Sequence, residues 1–199
     1  MENSVKHLLK VDRIFPKIIS RIKLKNAKAH KRYFESLSVA IINQQLSTKA
    51  ANTIEKRFRA LFFTKAFPKP EEILKKSNRQ LRKAGLSFQK INYIKSLAKL
   101  VEDRKINFKK FGRMTDEEII SVLTEVKGIG RWTAEMFLMF CLNRPDVFSH
   151  GDLGLQNAIK KWYKIDQKIQ SKKYHKLVES WKPHRTTAAR FLWSSLNLK

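Results

Sequence analysis

The chain has 199 residues, enough for one sizeable core or for two small lobes sharing a cleft. Its 42% apolar content and four Trp describe a folded protein, while 43 Lys and Arg against 17 Asp and Glu leave a net charge of +26, an excess that calls for a polyanionic partner, nucleic acid foremost. No run approaches the ~20 apolar residues of a bilayer span, and the start, MENSVKHLLKVDRIFPKII, is interrupted by charge too often to read as a signal peptide, so an intracellular protein without membrane attachment is expected.

Nearly every segment carries a helical period and none alternates like a strand, so the predicted class is all-α. Residues 31–42 form a first core helix with Tyr33, Phe34, Leu37, Ile41 and Ile42 near one face. After the polar interruption Asn43, Gln44, Gln45, Ser47 is an N-cap for a helix bearing Ala50, Ile54, Phe58 and Leu61, which the loop around Pro68 and Pro70 ends. Ser77 with Gln80 makes a capping box for a short helix closing at Gly85, and Ser87 starts another with Ile91, Ile94, Leu97, Ala98 and Val101 on one side. A basic connector, Arg104 to Arg113, leads to a second capping box at Thr115 and Glu118. Cys141 is the single cysteine and excludes an internal disulfide and any four-cysteine zinc or iron–sulfur site; its apolar setting, MFLMFCL, makes it a small buried hydrophobe. The five histidines show no metal-ligand spacing. The basic run Lys160, Lys161, Lys164, Lys168, Lys172, Lys173 and Lys176 is largely a solvated face, Ser171 caps a helix ending near Trp181, and Pro183 fits the first turn of a last helix with Ala188, Leu192, Trp193 and Leu196.

Between two of these helical patterns lies Val126-Lys127-Gly128-Ile129-Gly130. Its glycines permit a tight turn and remove side chains that would block a phosphate, and the following helix start presents backbone N–H groups to an anion. Lys127, Arg131 and Thr133 are spaced to add charge or a hydroxyl, although an ordinary turn between helices explains the glycines equally well. Downstream stands Asp152, with two readings: an N-cap for LGLQNAIKKW, or a carboxylate that does chemistry on a nucleotide.

The string GIGRWTAEMFL, followed by NRPDVF and GDLGLQ, resembles the helix-hairpin-helix DNA glycosylase superfamily, and within it the alkylated-base branch of 3-methyladenine DNA glycosylase II type. SVAIINQQLSTKAANTI, LSFQKINYIKSLA and WKPHRTTAARFLW extend the likeness over roughly residues 30–196. The resemblance implies a single two-lobed helical unit with the active cleft between lobes: a helical lobe of about 31–110 with a wedge loop, a hairpin and catalytic lobe of about 114–165, and C-terminal helices of about 171–197 completing the cleft. It also implies action on double-stranded DNA containing damaged bases with no required cofactor; a monomer is the default expectation, and the single cysteine leaves no iron–sulfur cluster.

Carried over residue by residue, the family's essential aspartate falls on Asp152 and its wedge on Gln45, with Gln44 and Leu46 as neighbours; the alternative is that the two glutamines simply cap and solvate a loop. Trp132 marks a pocket wall able to stack on a cationic base. Bifunctional relatives carry a lysine at the matching position, so hydrolysis without lyase activity is expected. Met136, one turn beyond Trp132, and Phe34, Tyr93 and Trp181 are further candidates for the pocket, each of which also reads as core. His184 departs from relatives with an aromatic residue there, which leaves the damage spectrum open. The family's hairpin often holds a Na+ or K+ through main-chain carbonyls, here those of Thr124, Val126 and Ile129. The expected activity is excision of alkylated purines, mainly 3-methyladenine, to leave an abasic site; the alternatives are a glycosylase for an oxidised or deaminated base and a non-catalytic protein that binds damaged DNA.

Overall fold

The computed structural model describes residues 1–26, 29–62, 66–165 and 171–198, and Lys168 of the basic run lies outside them. Among the described residues there is no strand, and no helix is long and apolar enough to cross a membrane. The helices are α1 (Glu2–Val11), α2 (Phe15–Ile19), α3 (Tyr33–Asn43), α4 (Thr48–Ala60), α5 (Pro70–Lys75), α6 (Asn78–Lys83), α7 (Phe88–Glu102), α8 (Asp116–Thr124), α9 (Arg131–Phe140), α10 (Leu153–Tyr163), α11 (Lys172–Ser180) and α12 (Arg185–Ser195), with a 3-10 turn at Phe108–Arg113.

Two compact units divide the chain, one of Met1–Ala29 with Leu138–Lys199 and one of His30–Phe137. The contiguous unit is built around α7, whose Ile91, Ile94, Leu97 and Ala98 are buried against α3, α5 and α6. Its predicted caps are in place: Ser47, Ser77, Ser87 and Thr115 each accept a backbone N–H from the third residue on, and Gln80 and Glu118 bond back to complete the boxes. On α4 Phe58 of the predicted stripe is buried, Ala50, Ile54 and Leu61 are half-buried, and Ala51 is buried beside them. Pro70 does not merely break a helix; it opens α5, where Glu72 Oε2 accepts the Lys69 N–H at 2.7 Å. The basic connector contains the 3-10 turn because Phe108 and Phe111 cluster with Tyr33 and Phe137 at 5.3–6.3 Å between ring centroids.

The discontinuous unit is tied together by a buried carboxylate. Asp12 follows α1 and accepts the N–H of Ile14 at 2.8 Å, the Trp181 indole N–H at 2.8 Å and the Tyr163 hydroxyl at 2.9 Å. Burial, reinforced by the Asp12 charge and this hydrogen bond, holds the Tyr163 phenol far above its ordinary range. Phe15, Phe148 and Tyr163 pack around the Trp181 ring. The last helix begins at Arg185, later than Pro183 suggested: the Asp146 carboxylate receives both the Arg185 N–H (3.2 Å) and its guanidinium (2.8 Å), which fixes the helix start there.

Candidate active site

The hairpin belongs to the His30–Phe137 unit. Val126 and Ile129 are buried and anchor the turn, with Val126 N–H donating to Leu123 O at 3.1 Å and Ile129 N–H to Val126 O at 2.9 Å. Gly128 sits at φ +89°, and a Cβ there would lie 2.0 Å from the Tyr93 ring, so both the backbone angle and the packing demand glycine. Gly130 has no positive φ, and a Cβ there would meet nothing within 4 Å. Its bareness opens space on the outside of the turn. Lys127 is exposed beside it.

The loop predicted as a wedge is built onto this turn. Gln44 Nε2 donates to Gly128 O at 2.8 Å, so Gln44 is a strut between loop and hairpin. Lys90 Nζ donates to Ile42 O and Gln44 O, both at 2.7 Å, satisfying carbonyls left over at the end of α3. Burial pulls the Lys90 ammonium below the ordinary lysine range. Gln45 then takes a left-handed conformation, φ +55°, and is exposed together with Leu46. On α9 the Trp132 side chain is 51% exposed, and Met136 follows one turn later, half-buried. Arg131, at the helix start, donates to Glu117 (Nη1–Oε2 3.0 Å) and to Glu135 (Nε–Oε1 3.0 Å). That pairing pushes the guanidinium up and holds Glu117 below the usual carboxylate range.

Asp152 lies in the other unit. The loop that delivers it is pinned to α12: Thr186 Oγ1 donates to Arg144 O at 2.7 Å and accepts the Val147 N–H at 3.0 Å, and Arg185 grips both carboxylate oxygens of Asp146 at 2.8 and 3.0 Å. Asp152 caps α10, its Oδ1 accepting the Leu155 N–H at 2.8 Å. The same oxygen accepts the Trp193 indole N–H at 2.8 Å. A neutral cap would need only the first of these. Two donors on one oxygen fix the carboxylate plane, an arrangement suited to holding a negative charge at a set position.

Residues 39–184 match the family described as the HhH-GPD superfamily of base excision DNA repair proteins. The chain belongs to the HhH-GPD superfamily. It is 38% identical over 184 residues to DNA-3-methyladenine glycosylase 1 of Schizosaccharomyces pombe, covering 92% of this chain and 80% of that one. Two solved structures superpose closely. The DNA-3-methyladenine glycosidase of Bacillus halodurans gives a TM-score of 0.87 at 36% identity, over 98% of this chain and 89% of that one. The S. pombe 3-methyladenine DNA glycosylase Mag1, in complex with abasic DNA, gives 0.83 at 36%, over 98% and 97%.

In this HhH-GPD protein the hairpin, Gln44, Gln45, Leu46, Trp132 and Met136 share one unit, and Asp152, Trp181 and His184 the other. The lobe boundary drawn at about 110–114 therefore falls inside the His30–Phe137 unit, because the Gln44 strut and the Tyr93–Gly128 contact bind the hairpin to the helices before it. Several expected roles change. Trp181 has no exposed surface and its indole N–H is taken by Asp12, so it is core and not pocket wall. Thr133 is buried and Arg131 is paired with two carboxylates, so of the three residues expected to meet a phosphate Lys127 is the one left exposed outside these pairs. Phe34 pairs with Phe67 at 6.1 Å and lines a recess of about 940 Å³ formed with Arg59, Pro68, Pro70 and Phe108, to which no hairpin or wedge residue contributes. Tyr93 is the bed beneath Gly128. His184 lies against α1, its Nδ1 3.1 Å from Ser4 Oγ and its ring 5.1 Å from that of His7. Lys90 and Trp193 escaped the sequence reading, the first looking like one more surface cation and the second like one more apolar residue on α12.

Proposed function

We propose that this protein is a monofunctional DNA glycosylase of base excision repair, which rotates alkylated purines, mainly 3-methyladenine, out of duplex DNA and hydrolyses the N-glycosidic bond to leave an abasic site. The observation that carries the reading is the doubly held Asp152 carboxylate in an HhH-GPD chain. Departure of the base builds positive charge on the sugar, which a fixed carboxylate stabilises while it orients the attacking water. A purine methylated at a ring nitrogen is already cationic, so it leaves with little help from a general acid. The exposed Trp132 ring is suited to stack on such a base. Because tryptophan stands where a lysine would be required, no amine attacks the sugar and no lyase step follows.

On this reading Gln45, on its left-handed backbone, enters the gap left by the base, with Leu46 beside it. Gly128, Gly130 and Lys127 receive a phosphate of the strand. The carbonyls of Thr124, Val126 and Ile129 offer an all-oxygen set for a Na+ or K+, and Val126 O, which accepts one N–H, keeps a second lone pair for it. A bound cation would add positive charge beside that phosphate. The protein acts inside the cell as a monomer.

The test is a methylated duplex incubated with wild type and with Asp152→Asn, reading free base released and abasic sites formed. The variant keeps a side-chain oxygen for the cap and is expected to lose about a hundredfold or more in excision rate. Duplex binding by the wild type without base release across alkylated, oxidised and deaminated lesions overturns the enzymatic reading.

A further inference from the structure

We infer that Trp193 is a positioning residue for Asp152, and that Gly154 is glycine to let the indole reach it. The inference rests on the catalytic role proposed for Asp152. Trp193 Nε1 donates to Oδ1 at 2.8 Å from α12, forty-one residues away in sequence, on the oxygen that already accepts the Leu155 N–H. An N-cap is satisfied by the local bond, so the indole is an addition that capping does not require. Gly154, at the second position of α10, has no positive φ to account for its presence. Space accounts for it. A Cβ there would lie 3.0 Å from Asp152 Oδ1, 3.0 Å from Trp193 Cδ1 and 3.2 Å from Nε1, so any side chain would press on the indole, the carboxylate and the bond between them. Phe140 packs against the indole, with centroids 5.8 Å apart and planes tilted by 33°. Three elements thus converge on one carboxylate: the start of α10 supplies the cap and the gap, α12 the donor, and the end of α9 the surface that holds the donor's ring.

The consequence is kinetic. An oxocarbenium-like sugar is stabilised by a carboxylate whose orientation is set before the bond breaks, so removing the remote donor should lower the chemical step and spare DNA binding. Trp193→Phe deletes the donor and keeps a ring for Phe140, and Gly154→Ala leaves the donor and crowds it with a methyl that the indole and carboxylate must shift to admit; two different lesions of the same contact guard against a folding defect in either. Single-turnover excision from a methylated duplex, with enzyme in excess, is expected to fall about tenfold in both, the size of a lost hydrogen bond to a charged group. The duplex Kd should stay within twofold. The Trp193 Nε1–H resonance, assigned by its loss in Trp193→Phe, should move in Gly154→Ala and in Asp152→Asn. Excision within twofold of wild type in both variants, a loss matched by an equal loss of duplex affinity, or an indole resonance indifferent to both substitutions overturns the inference. A wild type that releases no base instead overturns the proposed function.

Discussion

The two glycines of the hairpin look alike in sequence and do opposite work. Gly128 is held by its φ of +89° and by the Tyr93 ring, whereas Gly130 faces open space. Gly128→Ala should therefore destabilise the protein by more than about 2 kcal/mol, visible as a lower urea midpoint. Gly130→Ala should leave that midpoint unchanged and weaken duplex binding, because its methyl occupies only the space outside the turn. Equal midpoints for the two variants would show that the hairpin is not packed as described. Single residues were legible where their local role needs no distant partner: the tight turn at Gly128 and the N-cap at Asp152. Residues whose role depends on a distant partner were not. Arg131 reads as a phosphate ligand until Glu117 and Glu135 are seen on it, and Trp181 as a pocket wall until Asp12 is found beneath its indole.

Helix starts were readable because a cap is a local device; Ser47, Ser77, Ser87, Thr115 and Ser171 each satisfy a backbone donor three residues on, and nothing remote is needed to see it. The short elements α2, α5 and the 3-10 turn were not, since five or six residues carry too little period; rings from elsewhere pack on α2 and the 3-10 turn, and α5, with Ile73 buried, packs on α7. The end of α3 shows the same limit. It is closed by an ammonium arriving from α7, and Lys90→Met should leave the Ile42 and Gln44 carbonyls without this donor, at about 1–3 kcal/mol of stability. Amide exchange in the 43–46 loop should quicken, and excision should slow more than duplex binding weakens, since the residue proposed to fill the vacated base position loses its footing. Unchanged exchange in that loop would remove Lys90 from this role.

Across the whole molecule, the charge of +26 was plain from composition, and so was the helical class. The grouping of helices into units was not, because it depends on contacts that join the two ends of the chain. One such contact carries a pH signature. Burial, and then the neighbouring positive charge of His7, pull the His184 imidazole below its ordinary range, with Asp146 opposing and the chain's amino terminus adding to the pull. The unfolded chain therefore takes up this proton more readily, so the associated stability is complete above about pH 6.5 and is lost as pH falls below that value through the lower range of the folded imidazole. The urea midpoint should drop from pH 7.5 to 5.5 by less in His184→Gln than in wild type; equal drops would exclude His184 as the source. The Asp12 contact has a different consequence, one of time. Its bonds to Tyr163 and Trp181 span 151 and 169 residues, so as the chain leaves the ribosome α1 and α2 emerge first and find their partners last. The contiguous unit with the hairpin has all its own residues long before that. Synthesis thus sets an order in which the surface proposed to grip DNA is finished first, and the carboxylate proposed to cut is armed only when the final helix arrives.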